Sequence, residues 1–417
     1  MTNPSFSDLG LAEVLRRALR DERYIEPTPI QARTIPLLLA EKDVIGIAQT
    51  GTGKTAAFAL PILQQLSEKG GRARPRSPHA LILAPTRELA LQIGDSLKTY
   101  GRHLPLRHTV ILGGVGQQPQ VNALARGVDI LVATPGRLLD LVHQGHVRLE
   151  KASFLVLDEA DRMLDMGFIP DVRKIIAALP ERRQSMLFSA TMPPEVSRLA
   201  AEILRKPVRV NASPEAVTVD QVDQRVFYVD QTKKRALLAK LLMDPELARV
   251  IVFTRTKHGA NRVAEQLSKT GVSVEALHGN KSQGARQRAL LRFRTGHARV
   301  LVATDVAARG IDVANVTHVI NYEVPNVPES YVHRVGRTAR AGVEGIALSF
   351  CDPAERAHIR NIERLTKRSI SVVDSPQMGS GPKPAPTAPT AATAPSVSSR
   401  RRRFLGARAR RTAGLAQ

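Results

Sequence analysis

The chain has 417 residues, 43% of them hydrophobic, and 61 Lys plus Arg stand against 38 Asp plus Glu for a formal charge of +23. At roughly 100–200 residues per domain this predicts two or three domains with ordinary cores, and it excludes a wholly disordered chain. No apolar run approaches the roughly 18–20 residues of a membrane span, MTNPSFSDLG lacks the basic and apolar segments of a secretory leader, and the single Cys351 excludes an intrachain disulfide framework or a Cys-rich zinc site. A cytoplasmic protein is expected, with a polyanion as partner and nucleic acid ahead of any membrane surface.

In chain order, short apolar runs alternate with amphipathic stretches. DVIGIA (43–48), ALILAP (80–85), TVILGG (109–114), DILVAT (129–134), FLVLDEA (154–160) and SMLFSA (185–190) are rich in Val, Ile and Leu and bounded by Gly, Pro or charge. Such runs predict strands buried on both faces. ELALQIGDSLKTYG (88–101) and PDVRKIIAAL (170–179) predict helices between them. This is the grammar of a parallel α/β sheet. NASPEAVTVDQVDQ (211–224) is polar and reads as a hinge. The pattern then resumes in RVIVFT (249–254), SVEALHG (273–279), RVLVATD (299–305), HVINYE (318–323) and GIALSF (345–350). Leu131–Thr134 and Leu301–Thr304 both read LVAT, each closing a predicted strand, as a duplicated architecture would have it. From Pro376 to Gln417 there are one Lys, seven Arg and no acid, a net +8. The Pro/Ala/Thr/Ser portion buries too little apolar surface to offset its ordering entropy and is expected to be disordered. The Arg cluster after it suits phosphates, with an affinity that falls as salt rises. The expected divisions are 1–212, a linker 213–221, a second domain 222–375 and the basic tail 376–417.

Three segments carry chemistry. DVIGIA runs into Gln49, Thr50, Gly51, Thr52, Gly53, Lys54 and Thr55 and then a helical pattern. The glycines let backbone N–H groups close around phosphate oxygens, Lys54 reaches the β/γ-phosphates and Thr55 offers a hydroxyl to Mg²⁺. Ala48 occupies the first Gly position of that P-loop pattern. FLVLDEAD places Asp158 and Glu159 at the carboxyl edge of a sheet, Asp158 for Mg²⁺ and Glu159 to polarise water. HRVGRTAR (333–340) carries Arg334, Arg337 and Arg340, of which Arg337 and Arg340 can act as arginine fingers on a γ-phosphate. Taken singly, these segments also fit a Gly-rich turn, an acid-rich helix start and a solvated basic helix; their co-occurrence favours the ATP reading. His143 and His146 have no accompanying Cys or carboxylate cluster and read as surface histidines.

In this order the segments resemble the DEAD-box family of RNA helicases, over nearly all of Phe6 to Phe350. The resemblance implies two RecA-like domains facing one cleft and joined by a short hinge, with ATP and Mg²⁺ as cofactors. PTPIQ (27–31) resembles the adenine-reading motif, which assigns the adenine edge to Gln31, base stacking to Tyr24 and support of that pocket to Phe6; Arg23 stands where the family has Gly. Pro85, Thr86 and Arg87 of PTREL, Gly113–Gly114, and Thr134, Gly136 and Arg137 of TPGR match RNA-contacting positions. Arg255, Gly279, Gln283, Arg286, Thr304 and Asp305 match RNA-side or interdomain positions in the second half, and Asp312 one near the ribose. Ser189 and Thr191 of SAT, with Asp161 and His333, match the residues that couple hydrolysis to strand separation. The wording NKSQGAR (280–286) and the short N-terminus look most like the bacterial RhlE-like branch.

The activity implied is ATP-dependent, sequence-independent local unwinding of short RNA duplexes or remodelling of ribonucleoproteins. Single-stranded RNA or a short duplex is the ligand, and ribosome-assembly or RNA-decay proteins are the partners to expect. Aromatics are 4% and Trp is absent, so base stacking is a small resource and the phosphate backbone is the expected contact. An ATP-gated RNA clamp and a DNA-directed superfamily 2 motor share much of this equipment and stay open.

Overall fold

The computed structural model describes residues 5–49, 51–212, 222–308, 313, 315–339 and 345–374. Thr50, Asp312 and Arg340, the 213–221 linker and the 376–417 tail lie outside the described residues.

Strands β1 (Val44–Ile47), β2 (Ala80–Leu83), β3 (His108–Ile111), β4 (Ile130–Ala133), β5 (Phe154–Leu157), β6 (Gln184–Ser189) and β7 (Val208–Asn211) form one sheet in the order β3-β4-β2-β5-β6-β1-β7. Strands β8 (Val222–Tyr228), β9 (Val250–Thr254), β10 (Val274–Leu277), β11 (Val300–Thr304), β12 (His318–Asn321), β13 (Gly345–Cys351) and β14 (Ser371–Val372) form a second, ordered β10-β11-β9-β12-β13-β8-β14. The second order is the first with seven added to every strand number, so one winding is used twice. The repeated LVAT falls on β4 and β11, which hold the same place in the two sheets. Pairing is parallel, as Phe154↔Gln184 in the first sheet and Val300↔Val250 in the second illustrate.

The physical reason is the covering of both faces. All residues of β2, β4 and β5 are buried. One face of the first sheet packs on the helix Lys54–Lys69, where Phe58 meets Phe188 with ring centroids 5.4 Å apart. Leu138, Val172, Ile175 and Leu199 cover the other. Each buried Leu or Phe is worth about 1.5–3 kcal/mol relative to exposure. Cys351 packs in the second core, where burial pushes its thiol up to about 11.

Each expected apolar run forms a strand; β7, β8 and β14 were not foreseen. β7 is an edge strand with only Val210 buried, so the signature of a doubly covered strand is missing. The hinge expected over 211–224 is shorter on the strand side, because Val222–Gln224 already pair with β13, starting at Val222↔Gly345.

Parallel strands put all their carboxyl ends on one edge, where open α/β sheets bind ligands. The P-loop follows β1, PTREL β2, Gly113–Gly114 β3, TPGR β4, DEAD β5 and SAT β6.

Candidate functional site

Beyond β1 the chain turns through Gly51 (φ +87°) and Gly53 (φ +89°) into the helix that starts at Lys54. Helix-start N–H groups without intrahelical partners face that turn, a ready anion cradle. A Cβ on Gly53 would lie 2.3 Å from Gln31 Nε2 in addition to the positive φ, so any other residue would strain the loop and displace the Gln31 amide. The loop is therefore shaped for phosphate. Lys54 is buried, and its Nζ donates to Ala48 O at 2.9 Å. Thr52 Oγ1 donates to Gln49 O at 2.7 Å, and Thr55 is half-buried on the first helical turn.

Gln31 is fastened to this loop. Its Nε2 donates to Gly53 O at 3.1 Å, and its Oε1 accepts from Thr28 N at 3.0 Å within the capping box of the helix Pro29–Leu39. Phe6 is buried in a short 3-10 turn that Ser5 and Asp8 cap reciprocally. Tyr24, 42% exposed, tilts against Tyr100 with centroids 6.1 Å apart. Its position is set by the end of the helix Glu13–Asp21, where Tyr24 N donates to Leu19 O and Arg23 N to Arg20 O, both at 2.9 Å. That closure needs a left-handed residue, and Arg23 supplies it at φ +60°. The glycine of the resembled pattern is thus explained, and its replacement by Arg carries a backbone cost. Arg23→Gly is expected to raise stability by about 1 kcal/mol, read as a higher denaturant midpoint. An unchanged or lowered midpoint contradicts the local account.

After β5, Asp158 is buried and one carboxylate oxygen accepts from Glu159 N at 3.0 Å. Burial pushes its pKa up to about 7, with Lys54 opposing and Glu159 adding. A carboxylate so placed suits a Mg²⁺ that takes its other ligands from phosphate and water. Among the described residues no three or more His, Cys, Asp or Glu gather to hold a metal by themselves. Glu159 adopts a left-handed φ of +54° at the start of the short helix Ala160–Asp165, and its carboxylate pairs with the buried Arg162. Asp161 N donates to Ser189 Oγ at 3.1 Å, and Asp161 Oδ2 accepts from both N and Oγ1 of Thr191 at 2.9 Å. The segment after β6 is therefore bolted to the segment after β5.

Glu159, Asp161, Arg162 and Asp165 form one wall of a small pocket; His333 and Arg337, from beyond β12, form the other. Arg337 is buried and its Nε donates to His333 O at 3.1 Å. The first arginine of HRVGRTAR does something different. Arg334, 1% exposed, donates to Asp305 Oδ1 at 2.5 Å and Oδ2 at 2.7 Å, to Asn321 Oδ1 at 3.1 Å and to Glu323 O at 2.7 Å. Its guanidinium also lies 5.1 Å from the Phe253 ring centroid. Asp305, expected on the RNA side, has its carboxylate committed to this internal tie.

Among the residues expected to contact RNA in the first half, Pro85 is buried and Thr86 Oγ1 accepts from Leu89 N at 3.2 Å, capping the helix Arg87–Tyr100. Arg87 lies across Gly114, where a Cβ would come within 2.0 Å of its Nη1. Burial lowers its guanidinium pKa; Glu88 opposes this and Arg286 and Arg137 add to it, so these cations are neighbours. Arg137 reaches Val115 O at 3.5 Å and Asp140 at 3.6 Å, while Thr134 and the exposed Gly136 open the helix Pro135–His143. In the second half, Gly279 is exposed with open space above it and Thr304 is buried at the end of β11.

Three partners escaped the sequence. Glu88, buried, accepts from Arg286 Nε at 2.7 Å and from Gln283 Nε2 at 3.3 Å, joining the two sheets. Glu355 pairs with Arg255 at 3.0 Å and with the buried Lys234. Glu323 Oε2 accepts from Arg255 N at 2.6 Å.

Comparison with known proteins bears on this geometry. Residues 28–199 match the family described as DEAD/DEAH box helicase, and residues 233–342 the helicase conserved C-terminal domain. The DEAD-box ATP-dependent RNA helicase CshA of Bacillus subtilis (strain 168) is 44% identical over 378 residues, which is 90% of this chain and 75% of that protein. Saccharomyces cerevisiae Dbp5 bound to RNA and ADP BeF3 superposes with a TM-score of 0.79 at 32% identity, over 89% of this chain and 96% of that one. The helicase Mss116 bound to ssRNA and UDP-BeF gives 0.81 at 27% identity, over 91% and 81%.

Proposed function

This chain belongs to the DEAD-box family of ATP-dependent RNA helicases, and on that premise we propose how its residues divide the work of coupling ATP hydrolysis to local RNA unwinding. The observation that carries the reading is the pocket where Glu159, held beside Asp161, meets His333 and Arg337 from the other sheet. Hydrolysis is thereby possible only when both halves are apposed.

The P-loop N–H groups and Lys54 hold the phosphates, with Gln31, Tyr24 and Phe6 forming the base end of the pocket. Asp158 and Thr55 would hold Mg²⁺, which would supply neutralisation of phosphate charge. Lys54 favours the ionised form of Asp158 against the burial that raises its pKa, and a bound cation would do so further. Glu159 orients the attacking water. Arg337, with Arg340, meets the γ-phosphate. Asp161 passes the state of that pocket to Ser189 and Thr191. RNA lies along Thr86, Arg87, Gly114, Thr134, Gly136 and Arg137 of the first half and Arg255, Gly279 and Thr304 of the second, held by hydroxyls, N–H groups and charge rather than base edges. Gln283 and Arg286 work from the interface through Glu88, and Asp305 works through Arg334.

ATP and RNA both touch the two halves, so each favours the apposed state and, by linkage, the other's binding. Base-pair steps are worth roughly 0.6–2.2 kcal/mol. One ATP therefore supports the loss of a few pairs per cycle and not of dozens. The functional divisions are 1–212, 213–221, 222–375 and 376–417, the tail adding RNA affinity. Within the family the wording of 280–286 supports an RhlE-like placement, while the relative compared above carries the CshA name. No helix among the described residues is long and apolar enough to cross a membrane, and we place the protein in the cytoplasm, acting with ribosome-assembly or RNA-decay proteins.

Lys54→Ala tests the nucleotide half. Removing a buried, bonded charge costs about 2–5 kcal/mol, so equilibrium binding of a fluorescent ATP analogue should weaken by about 30-fold or more. Wild-type affinity in that variant contradicts the assignment.

A further inference from the structure

Apart from Phe6, Tyr24 and Gln31, which precede β1, the residues placed so far lie beyond the carboxyl ends of strands. Six arginines of the first half do the opposite. Arg107 stands immediately before β3, Arg126 before β4, Arg72, Arg74 and Arg76 before β2, and Arg148 before β5. These four strands are consecutive neighbours in the sheet, β3-β4-β2-β5. At about 4.8 Å per strand the six side chains form a continuous row on the amino-terminal edge, opposite the P-loop and the RNA-contacting loops.

All six are exposed. Among the described residues none of them has a carboxylate in ion-pair reach, whereas Arg16, Arg102, Arg137, Arg173 and Arg198 of the same half each have one. The acid in their midst, Asp129, is buried and already used: Oδ1 accepts from Ala73 N at 3.1 Å and Oδ2 from Arg107 N at 2.8 Å. Glu150, exposed beside Arg148, is the one acid in these approaches left facing solvent. The backbone presenting the row is fixed. Arg76 N donates to Leu124 O at 2.9 Å, Arg148 N to Arg76 O at 2.8 Å, and a Cβ on Gly127 would strike Ala73 O at 2.5 Å. A charged surface held in place in advance loses less freedom on binding. Arg107 also borders a cleft of about 640 Å³ whose apolar lining includes Leu63, Leu97, Leu106 and Ile130, with Lys98, Arg102 and one acid, Asp95, at its margin. Cations beside an apolar recess match a phosphate and its base together.

We infer that this edge is a second RNA-binding face, which holds single-stranded RNA flanking the segment being unwound. The choice of RNA as the polyanion rests on the function proposed above. Such a face lets the protein stay on its substrate while the carboxyl edge releases and rebinds.

The test uses the full chain in two variants, Arg72→Gln/Arg74→Gln/Arg76→Gln and Arg107→Gln/Arg126→Gln/Arg148→Gln, with fluorescence anisotropy against salt. The probes are a long poly(U) strand and a short one that spans only the carboxyl-edge residues. For single strands the slope of log affinity against log salt changes by about 0.7 for each phosphate contact. Each triple variant should therefore lose about 2 from the slope on the long strand, and at least tenfold in affinity at low salt, while the short strand binds as before. Wild-type slope and affinity in both variants overturn the proposal. So does Arg-dependent binding to phosphatidylserine–phosphatidylcholine vesicles with long-strand affinity unchanged, which would make the face a membrane contact. If the wild-type protein binds neither strand, the underlying RNA reading has failed, a result distinct from wild-type binding that the variants retain.

Discussion

Arg337→Ala should lower turnover at saturating ATP and RNA by about 10³–10⁵-fold, the range of an arginine finger, while the KM for ATP stays within a few-fold. The expectation follows from where Arg337 sits. Its guanidinium is buried, turned by a bond to His333 O, in a pocket whose other wall holds Glu159 and Asp161. In the proposed mechanism, charge placed there would meet the γ-phosphate as it separates and contribute little to holding ATP on the first half alone. An interaction realised only in the transition state lowers kcat and kcat/KM together. Arg337→Lys should recover little, since an ammonium lacks the planar fork. Arg334 makes the informative contrast. It lies three residues earlier but is spent on Asp305, Asn321 and Glu323, so Arg334→Ala should lower the stability of the second half. Turnover by Arg337→Ala within tenfold of wild type would remove it from the reaction.

Glu159→Gln should bind ATP and RNA as wild type does and turn over about 10²–10⁴-fold more slowly, the usual contribution of a positioned acid or base. The exchange keeps shape and volume, and the amide oxygen still accepts from Arg162, so the fold is retained. What is lost is the negative charge proposed to polarise water. The strained φ of +54° at Glu159 fits a residue whose placement matters more than its backbone comfort. Single-turnover hydrolysis and nucleotide binding, measured on the same preparation, separate the two effects. Normal single-turnover rates would overturn the assignment of Glu159 as the base.

The strands and the carboxyl-edge motifs were legible because each is a local signal. Four to six apolar residues bounded by turn residues suffice for a strand, and GKT after such a strand suffices for a P-loop. Spacing cannot say which side chain meets which. Arg334 and Arg337 look alike in HRVGRTAR, and only the fold shows that one is internal and the other faces Glu159. Nothing in the spacing of PTREL says that Glu88 answers Arg286 across 198 residues of chain. β7 was illegible because an edge strand is covered on one side, and the start of β8 because its polar residues look like hinge. The amino-edge arginines were hidden for a related reason: they are scattered over four approaches, and only the strand order makes them neighbours.

The central claim is that ATP hydrolysis is coupled to RNA through apposition of the two halves. Its most direct test is ATP hydrolysis by the purified full-length protein, without nucleic acid and then with single-stranded RNA or matched DNA at equal salt. Strong stimulation by RNA alone is the predicted result, and strand displacement on a short duplex then separates unwinding from clamping. Equal stimulation by DNA, or none by either, would contradict the claim.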